Sequence, residues 1–208
     1  LVGSEMCIRD SLIGPNASGK SNLIRVLNFL KLALEKPAFL EYVANEMGYK
    51  GLRDLFFGQD PSHEISIKLV GVLNGKEFVY KVSLLEDGVK EESFTIEGKK
   101  IFNRNYTDLS IFNSKGIHKE ELSGEDRDKL MNAFLDLFKG EYYEYLNAFV
   151  KYVSNWAFYS FNPEAIRGTS NISPSLTLRK DGGNLPQVLH TLLTTRRKTF
   201  TRIEEILK

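Results

Sequence analysis

The feature that most constrains this chain is the segment Gly14-Pro15-Asn16-Ala17-Ser18-Gly19-Lys20-Ser21, which fits the pattern G-x-x-x-x-G-K-[ST] at every fixed position. Gly14 and Gly19 permit backbone angles and close approaches that a Cβ would block, so the amide groups from about Asn16 to Ser21 can converge on one anion. Lys20 is expected to reach the β- and γ-phosphates of a nucleotide, and the Ser21 hydroxyl to ligate Mg²⁺. The segment therefore predicts a phosphate loop.

A helix is predicted directly after this loop. Leu23, Leu27, Leu30 and Leu34 recur at steps of four, three and four residues, and Pro37 is expected to end the helix. The positive end of such a helix points at the bound phosphate. The alternative is a glycine-rich turn that contains Lys-Ser by chance. A buried strand should precede the loop, and Leu12 and Ile13 are the residues that fit it.

The run from Gly14 to Ile24 closely resembles the phosphate loop of ABC-type ATPases of the SMC, RecF and OLD group, which includes many bacterial AAA family ATPases. This resemblance covers nearly all of residues 12–208. It implies an α/β fold, namely an ABC-ATPase-like N-terminal lobe of a P-loop NTPase, with a mixed sheet and an inserted antiparallel β region. The residues that it assigns to ATP phosphate binding are Gly14, Pro15, Asn16, Ala17, Ser18, Gly19, Lys20, Ser21 and Asn22.

The same resemblance implies ligands and partners. The ligands are ATP and Mg²⁺, with Ser21 on the metal. In a complete protein, two heads would form a head-to-head homodimer that encloses ATP, and hydrolysis would be coupled to DNA transactions, DNA repair or phage defence. Residues 49–55 resemble the segment after the first helix of SMC heads, so Arg53 is a candidate contact to nucleotide or DNA. A local ion pair with Asp54 or another acid is the alternative for Arg53.

The middle of the chain changes its hydrophobic period. From about 64 to 112, apolar and polar residues alternate, with reversals at Asn74-Gly75, Asp87-Gly88 and Glu97-Gly98, which predicts an antiparallel β region. From about 124 to 155 the pattern is helical, with a break at Gly140 and an aromatic stripe that we interpret as core.

Three shorter segments also carry predictions. Leu122-Ser123-Gly124-Glu125 imitates the ABC signature motif but comes too early in the chain, so Ser123 is interpreted as a helix N-cap. Residues 156–161 (WAFYSF) predict a buried strand of the main sheet. Asn184 is expected to cap a helix that has Pro186 in its first turn.

ATP hydrolysis requires an acidic pair at the end of an apolar strand, and the sequence contains none. The nearest approach, Ala133-Phe134-Leu135-Asp136, lies in a helical pattern and is followed by Leu137. Residues 1–11 lack a clear period and resemble translated sequencing adapter, so we interpret them as a non-native or disordered segment; a terminal strand is the alternative. Residues 12–208 are accordingly expected to be an N-terminal lobe that lacks its C-terminal partner lobe.

Composition narrows the remaining alternatives. The 208 residues carry a net charge of +1 and a single cysteine, Cys7, which excludes an internal disulfide framework and favours a cytoplasmic protein. No stretch approaches the roughly 20 consecutive apolar residues that a membrane span needs. The three histidines are too scattered to predict a metal site. A basic group near the end could bind DNA or be a solvated helix end: Arg196, Arg197, Lys198 and Arg202. A self-sufficient P-loop kinase or GTPase, and a non-catalytic nucleotide-regulated interaction module, remain the alternative functions.

Overall fold

The computed structural model describes residues 20–35, 40–48, 50, 64–113, 116–168 and 173–207. Two compact units divide the chain, one ending at Trp156 and the other beginning at Ala157. The first unit contains two helices near its start, α1 (Lys20–Glu35) and α2 (Leu40–Glu46), followed by a sheet and a helical region. Helix α1 has the limits that the leucine spacing predicts.

The sheet of the first unit has six strands, paired in chain order and antiparallel throughout. They are β1 (Ile65–Leu73), β2 (Lys76–Leu85), β3 (Gly88–Ile96), β4 (Lys99–Arg104), β5 (Asp108–Asn113) and β6 (Gly116–Glu121). A mixed sheet would need parallel strands, which are not among the described residues, so that part of the fold prediction stays a prediction.

The predicted hairpin reversals are confirmed at Asn74-Gly75 and Glu97-Gly98. Both residues of each pair have positive φ, 52° and 78° in the first and 49° and 73° in the second. These angles are those of the type I′ turn, whose twist matches that of the flanking strands. The sheet continues past residue 112 because β6 pairs with β5, although β6 is mostly exposed and has no apolar alternation that would predict a strand.

The region from 124 to 155 is helical in a different way from the prediction. It begins with two 3₁₀ segments, Gly124–Asp126 and Met131–Leu137, and only then forms an α-helix, α3 (Glu141–Ser154). Gly140, with φ of 61°, precedes α3 and marks the predicted break. Ser123 lies at the predicted N-cap position, but of a short 3₁₀ segment; its backbone N–H and its hydroxyl both donate to Asp126 Oδ2, at 2.9 and 2.7 Å.

Helix α3 covers one face of the sheet through an aromatic cluster. The Phe149 ring lies 5.3 Å from Phe78, 4.9 Å from Tyr80 and 5.0 Å from Phe94, measured between centroids. All four side chains are buried. Phe149 of the aromatic stripe is therefore core, as expected, whereas Tyr152 of the same stripe is about half exposed.

The second unit contains α4 (Pro163–Arg167), α5 (Leu185–Thr195) and α6 (Arg197–Leu207). The prediction of a buried strand at 156–161 is wrong. Trp156 packs on Tyr152 in the first unit, whereas Tyr159 and Phe161 are about half exposed and stack on each other at 5.6 Å. Ser160 donates its backbone N–H to Lys180 O at 2.8 Å, within an irregular loop.

Asn184 precedes α5 as predicted, but its side chain does not cap the helix. The buried amide accepts a hydrogen bond from Arg179 N at 2.8 Å and donates to Thr177 O at 2.9 Å. It therefore holds the preceding loop together. Among the described residues, no helix is long and apolar enough to cross a lipid bilayer.

Candidate functional site

The predicted phosphate site meets the described structure at the first turn of α1. Lys20 is the first residue of the helix, and Ser21 and Asn22 follow in the same turn. Gly14, Pro15, Asn16, Ala17, Ser18 and Gly19 lie outside the described residues, as does Arg53. The structure thus places Lys20, Ser21 and Asn22 together in the first described turn of a helix.

The first turn of α1 is suited to an anion. Ser21 and Asn22 are exposed, and this turn contains no acidic residue. The first-turn N–H groups of a helix have no partner within the helix and lie at the positive end of its dipole, and here no carboxylate of the turn itself competes for them. Leu23 and Ile24, just beyond, are each 50% exposed.

The second half of α1 is anchored in the core. Phe29, Leu30, Ala33 and Leu34 are buried and belong to the same hydrophobic cluster as the aromatic residues of the sheet. Helix α1 also packs against α3. The second half of the helix thus fixes the position of its first turn, and a rigid anion site needs such a fixed support.

One segment, Asp126–Asn132, ties α1 and α2 to the sheet; we call it the tie segment. The Asn132 side-chain amide donates to Ala33 O of α1 at 3.3 Å, and Leu40 N of α2 donates to Asp128 O at 2.9 Å. On the other side, Val89 N of β3 donates to Arg127 O at 2.7 Å. The tie segment is therefore hydrogen-bonded to the helix that carries the site and to the sheet.

A buried charged pair completes this connection. Arg104 donates to the carbonyl oxygens of Lys129 and, at 3.0 Å, of Asp126. Glu92 is its cross-strand partner and accepts hydrogen bonds from Tyr80 Oη at 2.7 Å and Met131 N at 3.1 Å. The Arg104 and Glu92 side chains are fully buried, and their closest charged atoms are 3.8 Å apart.

Burial dominates the titration of this cluster. Desolvation raises the pKa of Glu92, and the charge of Arg104 together with the hydrogen bonds from Tyr80 and Met131 offsets part of that rise. Desolvation, together with the neighbouring Glu92, also holds the pKa of Tyr80 well above its ordinary value. Glu92 Oε2 and Arg104 Nε have no hydrogen-bond partner among the described residues. The pair therefore has a structural role: it holds the tie segment to the sheet, in the core and not at the exposed turn of α1.

The sequence pattern places Glu92 and Arg104 in the antiparallel region but does not predict their pairing, which arises from the register of β3 and β4. The sequence does contain a signal for the pair. Glu92 lies two residues from buried Phe94 and Arg104 two residues from buried Phe102, so each charged residue is on the buried face of its strand. Charged residues at core positions of two neighbouring strands predict a buried pair. His118 and His190 are exposed, and no group of three His, Cys, Asp or Glu that could hold a metal occurs in the described part of the chain.

A phosphate-loop sequence that leads into an anchored helix, beside an antiparallel sheet, defines a nucleotide-binding α/β protein of the P-loop class. Comparison with protein families agrees: residues 11–196 match the family described as "AAA domain, putative AbiEii toxin, Type IV TA system". The chain belongs to this AAA family, and its class is that of nucleotide-binding ATPases. Comparisons with curated proteins and with solved structures give no match.

Proposed function

We propose that the chain is the phosphate-binding half of an ABC-type ATPase similar to the SMC, RecF and OLD group. The observation that carries this proposal is that Lys20 and Ser21 of the phosphate-loop sequence lie in helix α1, in a chain whose family match spans 11–196. Gly14–Ser21 supply the amide cradle, Lys20 the cation for the β- and γ-phosphates, and Ser21 the hydroxyl ligand for Mg²⁺. Arg53 remains a candidate contact to nucleotide or DNA.

The six-stranded antiparallel sheet supports the ABC-type assignment over a self-sufficient kinase or GTPase. Those enzymes usually continue from the phosphate loop directly into alternating parallel β–α units. Here the chain instead enters an uninterrupted antiparallel meander, from Ile65 to Glu121. A kinase or GTPase would also need a magnesium-supporting Asp at a strand end, and the sequence contains no apolar strand with that ending.

The finer parts of the proposal concern the complete protein. It would pair as a head-to-head homodimer around ATP, with an acidic pair and a signature motif contributed by a C-terminal lobe. ATP hydrolysis by the complete protein would be linked to DNA transactions or phage defence.

The family description names a toxin of a type IV toxin–antitoxin system. Growth of a bacterial culture that expresses wild type or Lys20→Ala would test a toxic role.

Equilibrium binding of labelled ATP in the presence of Mg²⁺ tests the site. Wild type is expected to bind weakly, without turnover. Lys20→Ala is expected to lose at least about tenfold in affinity, because the variant lacks the positive charge that would contact the β- and γ-phosphates. Lys31→Ala, on the same helix, is the matched control and should bind as wild type does. Equal affinity of wild type and Lys20→Ala would refute the site assignment, and steady turnover by the chain alone would favour the kinase or GTPase alternative.

A further inference from the structure

The six-stranded sheet has one covered face and one open face. The covered face carries Phe78, Tyr80 and Phe94 and packs on α3 through Phe149. The open face carries the side chains that alternate with these along each strand, and they are exposed or half-buried. We propose that this open face binds a single strand of nucleic acid.

A continuous polar row crosses the open face at right angles to the strands. Its members are consecutive register partners on all six strands, from β1 to β6: Lys68, Lys81, Ser93, Asn103, Ser110 and Lys119. With strands about 4.8 Å apart, the five steps span roughly 24 Å. The row contains cations and neutral hydrogen-bonding groups, and no acid.

The polar row is not used by the fold itself. Within the described part of the chain, none of its six side chains makes a hydrogen bond or an ion pair, and its three lysines are exposed. Neighbouring polar groups on the same sheet are paired, for example Glu64 with Lys90 at 2.7 Å. Lys68 and Lys81 lie directly opposite each other, an arrangement of like charges that is unfavourable until an anion lies between them.

An apolar row runs beside the polar row, two residues further along the strands. Its apolar members are Val70 and its partner Val79 on β1 and β2, and Phe112 and its partner Ile117 on β5 and β6; on the two central strands the row contains Thr95 and its partner Lys100. Val70 is 57% exposed and Ile117 59%, although both lie in regular strands. Lys100 lies over the Phe112 ring, 5.7 Å from its centroid. The two rows are about 7 Å apart, because two residues of a strand span that distance.

Acidic side chains flank the polar row on its other side. Glu91, Asp108 and Glu121 lie two residues from the polar row in the direction opposite to the apolar row, and Glu77 lies beyond Val79 at the edge of the apolar row. The acids repel phosphates from that side. A bound strand is thereby oriented, with its phosphates on the polar row and its bases towards the apolar row.

This two-row pattern fits a single strand better than a duplex or an acidic protein. A single strand exposes both phosphates and unstacked bases, which bind cationic grooves and apolar or aromatic side chains respectively. A duplex pairs its bases internally and would leave the apolar row uncovered. Ser and Asn side chains are common donors to phosphate oxygens, and an acidic peptide has no apolar group repeated at a fixed offset from each charge.

The inference deepens the DNA-linked part of the proposed function and can be tested apart from ATP binding. Lys20→Ala should lose ATP and keep oligonucleotide binding, whereas changes on the open face should do the reverse. Failure of the oligonucleotide-binding proposal therefore does not imply failure of the ATP-site proposal, and the reverse also holds.

The test measures fluorescence anisotropy of a labelled oligothymidylate of about 20 nucleotides with the 208-residue chain over a range of salt concentrations. The variant K68Q/K81Q/K119Q is expected to bind at least about tenfold more weakly, and the slope of log affinity against log salt should fall by about 2, since each lost phosphate contact removes roughly 0.7. The matched control K139Q/K151Q/K180Q removes the same charge from other exposed sites and should behave as wild type.

A second variant tests the apolar row. V70T/I117T keeps β-branched side chains in the strands and should weaken binding without changing the salt slope, because these residues contact bases. Equal thermal melting of all variants establishes that the sheet is intact.

Several results would overturn the proposal. They are absence of oligonucleotide binding by wild type, unchanged binding by the open-face variants, a loss of binding in R196Q/R197Q/K198Q instead, and binding of a duplex that is equally tight and equally sensitive to the open-face variants. Competition by polyglutamate as effective as that by oligonucleotide would assign the face to an acidic protein and would also overturn it.

Discussion

At the scale of single residues, the buried pair Glu92–Arg104 has the largest structural effect that we expect from one side chain. Arg104 holds two carbonyl oxygens of the tie segment and faces the Glu92 carboxyl group inside the core. Removal of one member of a buried charged pair leaves the other without its partner.

Arg104→Met is therefore expected to lower the free energy of unfolding by about 3–5 kcal/mol, measured by urea denaturation. Arg127→Met is the control, since Arg127 is exposed and lies 3.7 Å from an exposed Asp87, and its loss should cost at most about 1 kcal/mol. Similar stability of the two variants would show that the buried pair does not fasten the tie segment.

Glu64 is a second residue whose role can be measured, because its pKa is shifted. Hydrogen bonds from Lys90, Ser83 and Ser66 lower its pKa from 4.5 to about 2. Because the folded-state pKa lies below the unfolded value, this group contributes stability above pH 4.5 that is lost as the pH falls towards 2.

Lys90→Gln should raise the pKa of Glu64 towards its ordinary value, since Lys90 is the largest cause of the shift. The side-chain carboxyl carbon of Glu64, followed by NMR during an acid titration, reports this directly. Lys139→Gln should leave that titration unchanged, and a Glu64 pKa that stays near 2 in Lys90→Gln would contradict the hydrogen-bond assignment.

At the scale of elements, the sequence predicts what local geometry determines and misses what tertiary contacts determine. The limits of α1 follow from leucine spacing, and the turns at Asn74-Gly75 and Glu97-Gly98 follow from residue types that tolerate positive φ. Strand β6 has no local signal because it is an exposed edge strand held by its pairing with β5. The segment Met131–Leu137 has a helical apolar pattern but is 3₁₀, in a region whose hydrogen bonds go to the sheet and to α1.

Gly88, at a turn predicted from the sequence, is also constrained by a tertiary contact that the sequence does not predict. Its φ is 135°, and an added Cβ would lie 2.5 Å from Arg127 O of the tie segment. Gly88→Ala is expected to cost about 2–4 kcal/mol, from backbone strain and the displaced contact together.

Gly75→Ala provides the comparison in a thermal or urea unfolding experiment. Gly75 also has positive φ, 78°, but nothing lies within 4 Å of an added Cβ. Its substitution should therefore cost only about 1–2 kcal/mol. Equal losses at the two glycines would mean that the close approach between β3 and the tie segment contributes nothing.

At the scale of the whole molecule, the first unit joins one predicted nucleotide site to a sheet through a defined set of contacts. The anchored half of α1, the tie segment and the Glu92–Arg104 pair form a continuous packed and hydrogen-bonded path. The sequence predicts both ends of this path, because the phosphate loop and the alternating strands each have local signals. It does not predict the path, whose residues are far apart in the chain and meet only in the folded state.

The central claim is that the backbone around Gly14–Ser21 cradles the phosphates of ATP, and amide NMR tests it most directly. In ¹⁵N-labelled protein, addition of Mg²⁺ and ATP should shift the amide resonances of Gly14, Gly19, Lys20 and Ser21, because their N–H groups would donate to phosphate oxygens. Adenosine, which lacks phosphates, should leave them in place. Unchanged resonances of these four residues at saturating ATP, or equal shifts with adenosine, would contradict the account.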